Sequence, residues 1–207
     1  MRGKLIAIEG IDRVGKSTLA RRLAGFFEST KIPYILTREP GGTPLGEQIR
    51  HILLSTTSPT DLCLEAEVLL FLASRAQHVR QVISPALEQG IHVITDRFSL
   101  TTHAYQGAGG GLSPAATTIQ KELMAVPSID HLIVLDCDPR EIAARSQQEE
   151  ARLDRFESKS PDYFDRARAA FRSADGFCES RILIDASQPP DAVYEQAESW
   201  LMNAMYG

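Results

Sequence analysis

The eight residues from Gly10 to Ser17 read G-I-D-R-V-G-K-S and directly follow an apolar run at residues 5–8. Their spacing is that of a phosphate-binding loop, G-x-x-x-x-G-K-[ST]. The glycines let the backbone curl so that successive N–H groups point at phosphate oxygens, while Lys16 adds a mobile positive charge and the Ser17 hydroxyl suits Mg²⁺. An accidental glycine turn is the alternative, but a strand before the loop and a helix after it favour nucleotide binding.

Apolar runs typical of buried strands recur along the chain, at residues 5–8, 34–36, 91–94, 131–135 and 181–184. Several are continuously apolar, as in strands that are covered on both faces. Segments with helical periodicity lie between them, and the first, residues 16–27, begins at the phosphate-binding loop. This order predicts one α/β domain over residues 1–207, with a doubly wound, parallel, five-stranded sheet flanked by helices. Ligands are expected at the carboxyl ends of the strands, and residues 55–60 and 107–111 are predicted loops.

Composition excludes several classes of function. The 207 residues include 43% hydrophobic and 24% charged residues, as is usual for one globular domain. No apolar run approaches the ~20 residues that span a bilayer and no signal peptide is evident, so no membrane partner is expected. Three scattered cysteines, Cys63, Cys137 and Cys178, predict a reducing, cytoplasmic setting without a zinc site. A net charge of −5 predicts no nucleic-acid partner, so any polyanion must be small and met by a local arginine cluster.

Arg38 follows the second predicted strand and opens the stretch R-E-P-G-G-T-P-L-G at residues 38–46. Pro40 and the two glycines predict a tight loop, and Pro44 is placed to begin a helix. Arg38 would then project from a strand end towards bound phosphates. Its position alone leaves a surface ion pair with Glu39 equally open.

A predicted helix over residues 65–79 carries Phe71, Arg75 and His78 on one face. Such a face could stack a ring on a nucleobase while the guanidinium donates hydrogen bonds to its edge. A core phenylalanine beside a solvated arginine explains the same spacing, and periodicity alone favours that simpler interpretation. His78 has no evident partner, and no chemistry is assigned to it.

The third predicted strand ends in Asp96 and Arg97. A carboxylate beside the phosphate loop can hold a Mg²⁺-bound water, and the arginine can grip a phosphate bidentately, although an Asp–Arg pair capping a helix is an alternative. Residues 138–171 are densely charged. A solvated helix face and an arginine-bearing lid over the donor phosphates both remain open for that segment.

Taken together, these stretches resemble the thymidylate kinase family of nucleoside-monophosphate kinases across almost the whole chain. The segments that carry the resemblance are residues 9–18 with the phosphate loop, 37–46 (T-R-E-P-G-G-T-P-L-G), 69–79, 96–107 ending in A-Y-Q-G, and 153–157 (L-D-R-F-E). The resemblance implies a P-loop NTP-binding fold with a helical lid at about residues 140–158. It also implies transfer of the γ-phosphoryl group of Mg-ATP to dTMP, and it favours the functional interpretations given above.

The resemblance implies roles for individual residues, with ATP and Mg²⁺ as cofactors. The catalytic residues would be Asp12, Arg13, Lys16, Arg38, Asp96 and Arg97. ATP would contact Gly10, Ile11, Asp12, Arg13, Val14, Gly15, Lys16, Ser17, Thr18 and, at the adenine, Arg145. The metal would lie at Ser17 and Asp96. The dTMP phosphate would bind Arg38 and Arg97, thymine would meet Phe71, Arg75 and Thr102, and Tyr105 would pack under the sugar, with Gln106 at the base or sugar.

One departure concerns Arg13, since many bacterial members of the family carry glycine there and use lid arginines instead. The segment before Leu153 has Arg152 as its one arginine after Arg145. We therefore expect Arg13 to supply the charge near the transferring phosphoryl group, with a smaller contribution from Arg152 or Arg155.

The resemblance also implies a homodimer. An apolar helix such as residues 62–72 could face a partner, although a buried core helix has the same pattern in the sequence. A kinase for another nucleoside or nucleotide is a rival, as is a nucleotide-dependent switch. A GTPase switch needs an Asn-Lys-x-Asp motif, and the one asparagine, Asn203, is followed by Ala204.

Overall fold

The computed structural model describes residues 2–55, 62–111, 126–146, 159–174 and 176–206. Five strands form one parallel sheet in the order β2-β3-β1-β4-β5. They are β1 (Leu5–Glu9), β2 (Tyr34–Arg38), β3 (His92–Asp96), β4 (Ile129–Asp136) and β5 (Cys178–Asp185). Each coincides with a predicted strand, so the predicted doubly wound α/β architecture is confirmed.

Helices connect the strands in the described part of the chain. They are α1 (Lys16–Ser29), α2 (Pro44–Leu54), α3 (Leu64–His78), α4 (Ser84–Glu88), α5 (Ser99–Thr102), α6 (Pro139–Ser146), α7 (Pro161–Arg172) and α8 (Pro190–Tyr206). A π-helical turn, Val79–Ile83, joins α3 to α4, and a second π-helical segment, His103–Gly109, continues α5. None of these helices combines the length and the apolar composition that a bilayer crossing requires.

The central strands explain why apolar residues run without interruption in the sequence. Every residue of β1 is buried, and in β4 only the last residue is not. Helices cover both faces of such strands, so both sets of alternating side chains are removed from water. The edge strand β5 alternates between half-buried and exposed positions along most of its length. The core therefore surrounds β1, and the loop that follows β1 leaves the sheet at its centre.

Strand order fixes where the sheet opens for a ligand. β1 pairs with β3 on one side and with β4 on the other, although β2 follows β1 in the chain. The chain therefore changes direction across the sheet at β1, and in parallel sheets ligands bind at such a switch point, beyond the carboxyl ends of the strands. The segments after β1, β2 and β3 meet there.

The predicted loop at residues 107–111 is wrong in its first part, because the π-helical segment extends to Gly109. Packing against α7 explains the difference. Arg166 of α7 donates hydrogen bonds to the carbonyl oxygens of Ala108 and Gly109, at 3.1 and 2.7 Å. A Cβ at Gly109 would lie 2.8 Å from the ring of Tyr163. The glycine therefore permits a close helix contact that overrides its weak helix propensity.

Candidate active site

The loop between β1 and α1 has the backbone that the sequence motif predicts. Gly10 has a φ of 138°, and a Cβ there would lie 2.3 Å from the carbonyl oxygen of Leu135 on β4. Gly15 has a φ of 101° and directly precedes α1. Arg13 has a φ of 60°, which is uncommon for a residue with a side chain. The loop thus curls tightly in front of the α1 N-terminus, where N–H groups and the helix dipole favour an anion.

Lys16 lies beneath this loop and is only 6% exposed. Its Nζ donates a hydrogen bond of 2.6 Å to the carbonyl oxygen of Ile11. Burial, and then the nearby Arg97, lower the pKa of Lys16 to about 8, although Asp12 and Asp96 oppose this shift. A desolvated ammonium group in this position interacts strongly with any phosphate that enters the loop.

Ser17 and Asp96 provide the oxygen atoms that a Mg²⁺ site requires. The Ser17 hydroxyl donates a short hydrogen bond to Oδ2 of Asp96. Oδ1 of Asp96 is buried and has no hydrogen-bond partner among the described residues. Mg²⁺ prefers hard oxygen ligands and keeps several waters beside one or two protein groups. A hydroxyl and an unpaired carboxylate oxygen at the mouth of the phosphate loop therefore fit this metal.

Asp12 joins the phosphate loop to the segment after β3. It accepts a short hydrogen bond from Nη2 of Arg97 and one of 2.7 Å from the Tyr105 hydroxyl. Burial would raise the pKa of Asp12, but Arg97 and Lys16 outweigh burial and hold that pKa below its usual range. Burial would likewise lower the pKa of Arg97, but Asp12 and other anionic neighbours raise it. The site therefore holds an ionised carboxylate and a charged guanidinium side by side.

A buried glutamate fixes the strained backbone of Arg97, whose φ is 72°. Glu9, at the end of β1, accepts hydrogen bonds from the backbone N–H groups of Phe98 and Thr101 and from the Thr101 hydroxyl. Arg97 in turn donates to the Thr101 hydroxyl oxygen at 3.1 Å. Burial raises the pKa of Glu9, while the Thr101 hydrogen bond and the Arg97 charge oppose that rise. Glu9 thus holds the backbone segment that follows Arg97 in place.

Three arginines line a cavity of about 560 Å³ beside Asp96, namely Arg21, Arg38 and Arg50. The Arg38 side chain is 53% exposed, and its Nη2 donates a hydrogen bond of 2.8 Å to Glu47. The alternative of a surface ion pair between Arg38 and Glu39 is therefore wrong. Arg50 extends from α2, and its pKa is lowered by burial and then by the like charge of Arg38. Converging guanidinium groups that repel each other form a site that a phosphate would stabilise.

Arg75 of α3 is buried rather than solvated, since its side chain is only 1% exposed. Its Nε donates to the Glu39 carboxylate at 2.7 Å, and its Nη atoms donate to the Thr102 hydroxyl and to the Phe98 carbonyl oxygen. The simpler interpretation of a solvated arginine is therefore wrong. Glu39 also lies 3.1 Å from Nδ1 of His78, so the histidine belongs to the same buried network.

Phe71, one turn before Arg75, is a core residue and a cavity wall at once. It packs against Ile49 and Leu53 of α2. It also lines a cavity of about 60 Å³ together with Arg50 and Tyr105. That volume is well below the ~300 Å³ at the lower end of ligand sites. Arg50 lines the larger cavity as well, so the two cavities meet at this arginine.

Tyr105 and Gln106 are held from opposite sides by α7 and α3. The Tyr105 ring stacks on Tyr163 of α7, with ring centroids 5.8 Å apart and the planes 8° from parallel. Nε2 of Gln106 donates to the buried Glu67 of α3 at 2.9 Å. Thr102, Tyr105 and Gln106 thus lie on one helical segment, and their side chains hydrogen-bond to Arg75, Asp12 and Glu67 respectively.

A third cavity, of about 400 Å³, lies on the other side of the phosphate loop. Arg13, Thr18, Arg22 and Tyr194 line it together with residues 186–190, which connect β5 to α8. The Arg22 guanidinium lies 4.2 Å from the centre of the Tyr194 ring. The buried Ile11 and Val14 anchor the loop from below. The phosphate loop thus separates two cavities, one on the Arg13 side and one on the Arg38 side.

Part of the predicted site lies outside the described residues. Arg145 belongs to α6, but its side chain is not among those described, and Arg152 and Arg155 fall in residues 147–158. Their predicted contacts with the donor nucleotide stay predictions.

Sequence reasoning missed several residues that build the site. They are Arg50, Glu9, Glu39, Glu67, Thr101 and His78. Nε2 of His78 lies 2.7 Å from the Thr37 hydroxyl. A signal existed for Arg50, because a helix that begins at Pro44 keeps its first two turns near the Arg38 loop. The buried glutamates gave no such signal, since their partners lie 36 to 92 positions away in the chain.

Comparison with known proteins agrees with this geometry. The family described as thymidylate kinase matches residues 8–197. A thymidylate kinase of Teredinibacter turnerae is 43% identical over 194 residues, covering 91% of this chain and 92% of the relative. One from Shewanella amazonensis is 40% identical and covers 98% of both chains. The crystal structure of thymidylate kinase from Ehrlichia chaffeensis superposes with a TM-score of 0.74 at 26% identity, covering 98% and 99% of the two chains. The chain therefore belongs to the thymidylate kinase family.

Proposed function

We propose that this chain carries out the reaction of its family, the transfer of the γ-phosphoryl group of Mg-ATP to dTMP, which yields dTDP and ADP. The observation that carries the proposal is the pair of cavities on either side of the phosphate loop, with Lys16 beneath the loop. Such an arrangement lets two phosphorylated ligands approach each other head-on. A hydrolase would need only one of these cavities.

ATP occupies the Arg13 side of the loop. Its phosphates are held by main-chain N–H groups of residues 10–18 and by Lys16, and its base and ribose lie in the cavity of about 400 Å³. That volume falls within the ~300–1,000 Å³ typical of ligand sites. Arg145 stacks on the adenine from α6. When bound, Mg²⁺ neutralises charge on the donor phosphates, and Ser17 and Asp96 are the residues that hold it.

The acceptor dTMP occupies the Arg38 side. Its phosphate lies against Arg38 and Arg50 in the cavity of about 560 Å³, with Arg97 in the wall of the adjoining cavity of about 60 Å³. Thymine stacks on Phe71, with Arg75 and Thr102 at its polar edge. The side chains around the cavity of about 60 Å³ move outward as the base enters, because the cavity in the structure is narrower than a pyrimidine ring needs.

Tyr105 packs under the deoxyribose and leaves no room for a 2′-hydroxyl. Its ring is held in place by Tyr163 and by the hydrogen bond to Asp12. This double support favours a rigid wall over a side chain that swings away. Ribonucleotide acceptors are disfavoured for that reason.

Phosphoryl transfer requires the protein to align the two substrates and to neutralise their charge, and it requires no covalent nucleophile. Lys16 stabilises the donor phosphates, and Arg97 orients the acceptor phosphate through its contact with Asp12. Arg13 supplies the charge that stabilises the transferring group, a role worth about 10³–10⁵ in rate where it has been measured. Residues 140–158 act as a lid that excludes water within the single domain of residues 1–207.

The protein acts as a homodimer in the cytoplasm. Exposed apolar side chains on neighbouring helices, Leu45 and Ile52 of α2 and Leu69 of α3, support a dimer face there. The three scattered cysteines, Cys63, Cys137 and Cys178, support a reducing compartment. Light scattering after size exclusion tests the dimer, and Leu69→Asp should yield a monomer. An unchanged mass for that variant contradicts the assigned face.

A coupled assay for ADP release, with and without dTMP, tests the reaction. We expect release that depends on dTMP, weaker release with dUMP or dCMP, and none with thymidine, which lacks the phosphate that Arg38 and Arg97 bind. Release that is independent of dTMP would indicate an ATPase. No release at all would indicate a protein that binds ATP without phosphorylating a metabolite.

A further inference from the structure

Next in the chain to Tyr105, which lines the cavity of about 60 Å³, one buried polar atom has no partner among the described residues. It is the side-chain carbonyl oxygen of Gln106, a residue that is almost wholly buried. The amide nitrogen of the same side chain donates to Glu67 at 2.9 Å. Buried acceptors are nearly always hydrogen-bonded, so this half-satisfied amide calls for an explanation.

The position of the pair suggests what the free oxygen is for. Glu67, Phe71 and Arg75 follow one another at spacings of four along α3, and so lie on one face of the helix. Arg75 hydrogen-bonds to Thr102 of the facing helical segment, and Glu67 accepts a hydrogen bond from Gln106, which lies four positions after Thr102. The two polar pairs therefore flank Phe71, the ring on which the acceptor base is proposed to stack.

We propose that Glu67 is a positioning residue that selects the acceptor base by fixing the orientation of the Gln106 amide. The Glu67 carboxylate accepts from the Gln106 amide nitrogen at 2.9 Å, so the amide turns its nitrogen to Glu67 and presents its oxygen to the base. That oxygen accepts from an N3–H group. This inference rests on the proposed kinase function and deepens it.

The chemistry separates two classes of pyrimidine. Thymine and uracil carry an N3–H donor beside the O4 acceptor, which Arg75 meets with a donor. Cytosine carries an N3 acceptor beside an amino donor. Its N3 acceptor would face the Gln106 oxygen, another acceptor, and its amino donor would face the Arg75 guanidinium, another donor. A buried site that hydrogen-bonds a substrate group rejects an analogue that leaves its polar atoms unpaired. Without Glu67 the amide can turn over, and its nitrogen then suits cytosine.

The test compares kcat/KM for dTMP, dUMP and dCMP in four proteins. They are the unaltered chain, Glu67→Gln, the matched control Glu65→Gln on an exposed position of the same helix, and the exchange variant Glu67→Gln with Gln106→Glu. In Glu67→Gln we expect the preference for dTMP over dCMP to fall about tenfold or more, which is the effect of one mispaired buried group. The ratio of dTMP to dUMP should not change, since both bases present the same edge. Glu65→Gln should match the unaltered chain.

The exchange variant separates orientation from mere loss of packing. A glutamine at position 67 would donate to a carboxylate at position 106, whose second oxygen again accepts from the base. We expect it to recover the dTMP preference that Glu67→Gln loses, and this result decides the matter if Glu67→Gln does not fold. An exchange variant that fails to fold, or that folds without the preference, contradicts the proposal, as does full preference in Glu67→Gln. An unaltered chain without dTMP-dependent ADP release would instead defeat the proposed function itself.

Discussion

Glu39 holds the side chains of Arg75 and His78 in place beside the proposed acceptor site, and replacing it should therefore have a large and measurable effect. It is 3% exposed and pairs with Arg75, whose side chain is 1% exposed, at 2.7 Å. Removing one partner of a buried ion pair costs about 3–5 kcal/mol, because the remaining charge is left without compensation. A domain of this size loses about 2–4 °C in melting temperature per kcal/mol, so Glu39→Gln should melt about 6–20 °C lower.

The control is Glu47→Gln, which breaks a pair of similar length on the surface. Glu47 is 46% exposed and accepts from Arg38 at 2.8 Å. Exposed pairs are worth about 0–1 kcal/mol, so this variant should melt within about 4 °C of the unaltered protein. Differential scanning calorimetry of both variants in one buffer gives the comparison. If the two variants melt together, the argument that burial makes the Glu39–Arg75 pair indispensable is wrong.

Activity gives a second measurement on the same variant. Glu39→Gln should raise the KM for dTMP, because Arg75 loses the contact that fixes its guanidinium near the proposed base site. The KM for ATP should stay as it was, since the cavity proposed for ATP has no contribution from Glu39. Equal changes in both constants would mean that the variant damages the fold as a whole.

Three further predictions follow from the site and from the opposite end of the sheet. Since the pKa of Lys16 is lowered to about 8, its charge is lost as the pH rises through that value, and kcat/KM for ATP should fall there; a profile that stays flat to the ordinary lysine value of 10.5 contradicts this. Arg13→Ala should lower kcat by about 10³-fold or more, and Arg152→Ala by much less; a nearly unimpaired Arg13→Ala enzyme would refute the role of Arg13. The Asp130 side chain, 2% exposed, accepts hydrogen bonds from the Leu5 N–H and from Lys4 at the amino ends of the strands. Asp130→Ala should therefore lower the free energy of unfolding by about 1.5–3 kcal/mol, measured by chemical denaturation. Its kcat at low temperature should be retained.

The fold was predictable because its signals are local. Continuous apolar runs identify strands that are covered on both faces, and the glycine–lysine spacing places the phosphate loop after β1. Pro44 begins α2 as expected, with the Thr43 hydroxyl accepting from the Gly46 N–H. Each of these signals acts within a few residues of the chain, so no knowledge of distant neighbours was needed.

The interior of the site was predictable only in part. Arg75 looks like a solvated residue in the sequence, because the carboxylate that compensates its charge lies 36 positions away. His78 looks inert for the same reason, although it bridges Thr37 and Glu39. Residues 107–109 look like a loop until α7 covers them. In each case a contact between distant segments decides the environment, and periodicity carries no information about such contacts.

At Arg13, the stability of the backbone and the chemistry of the side chain favour different residues. Its φ of 60° is a conformation that glycine adopts freely and that a residue with a Cβ adopts at a cost of about 1–3 kcal/mol. Glycine at this position should therefore make the protein harder to melt while removing the charge proposed to stabilise the transferring phosphoryl group. Selection of variants for heat resistance alone would drive position 13 towards glycine, and selection for growth on limiting thymidylate would drive it back to arginine.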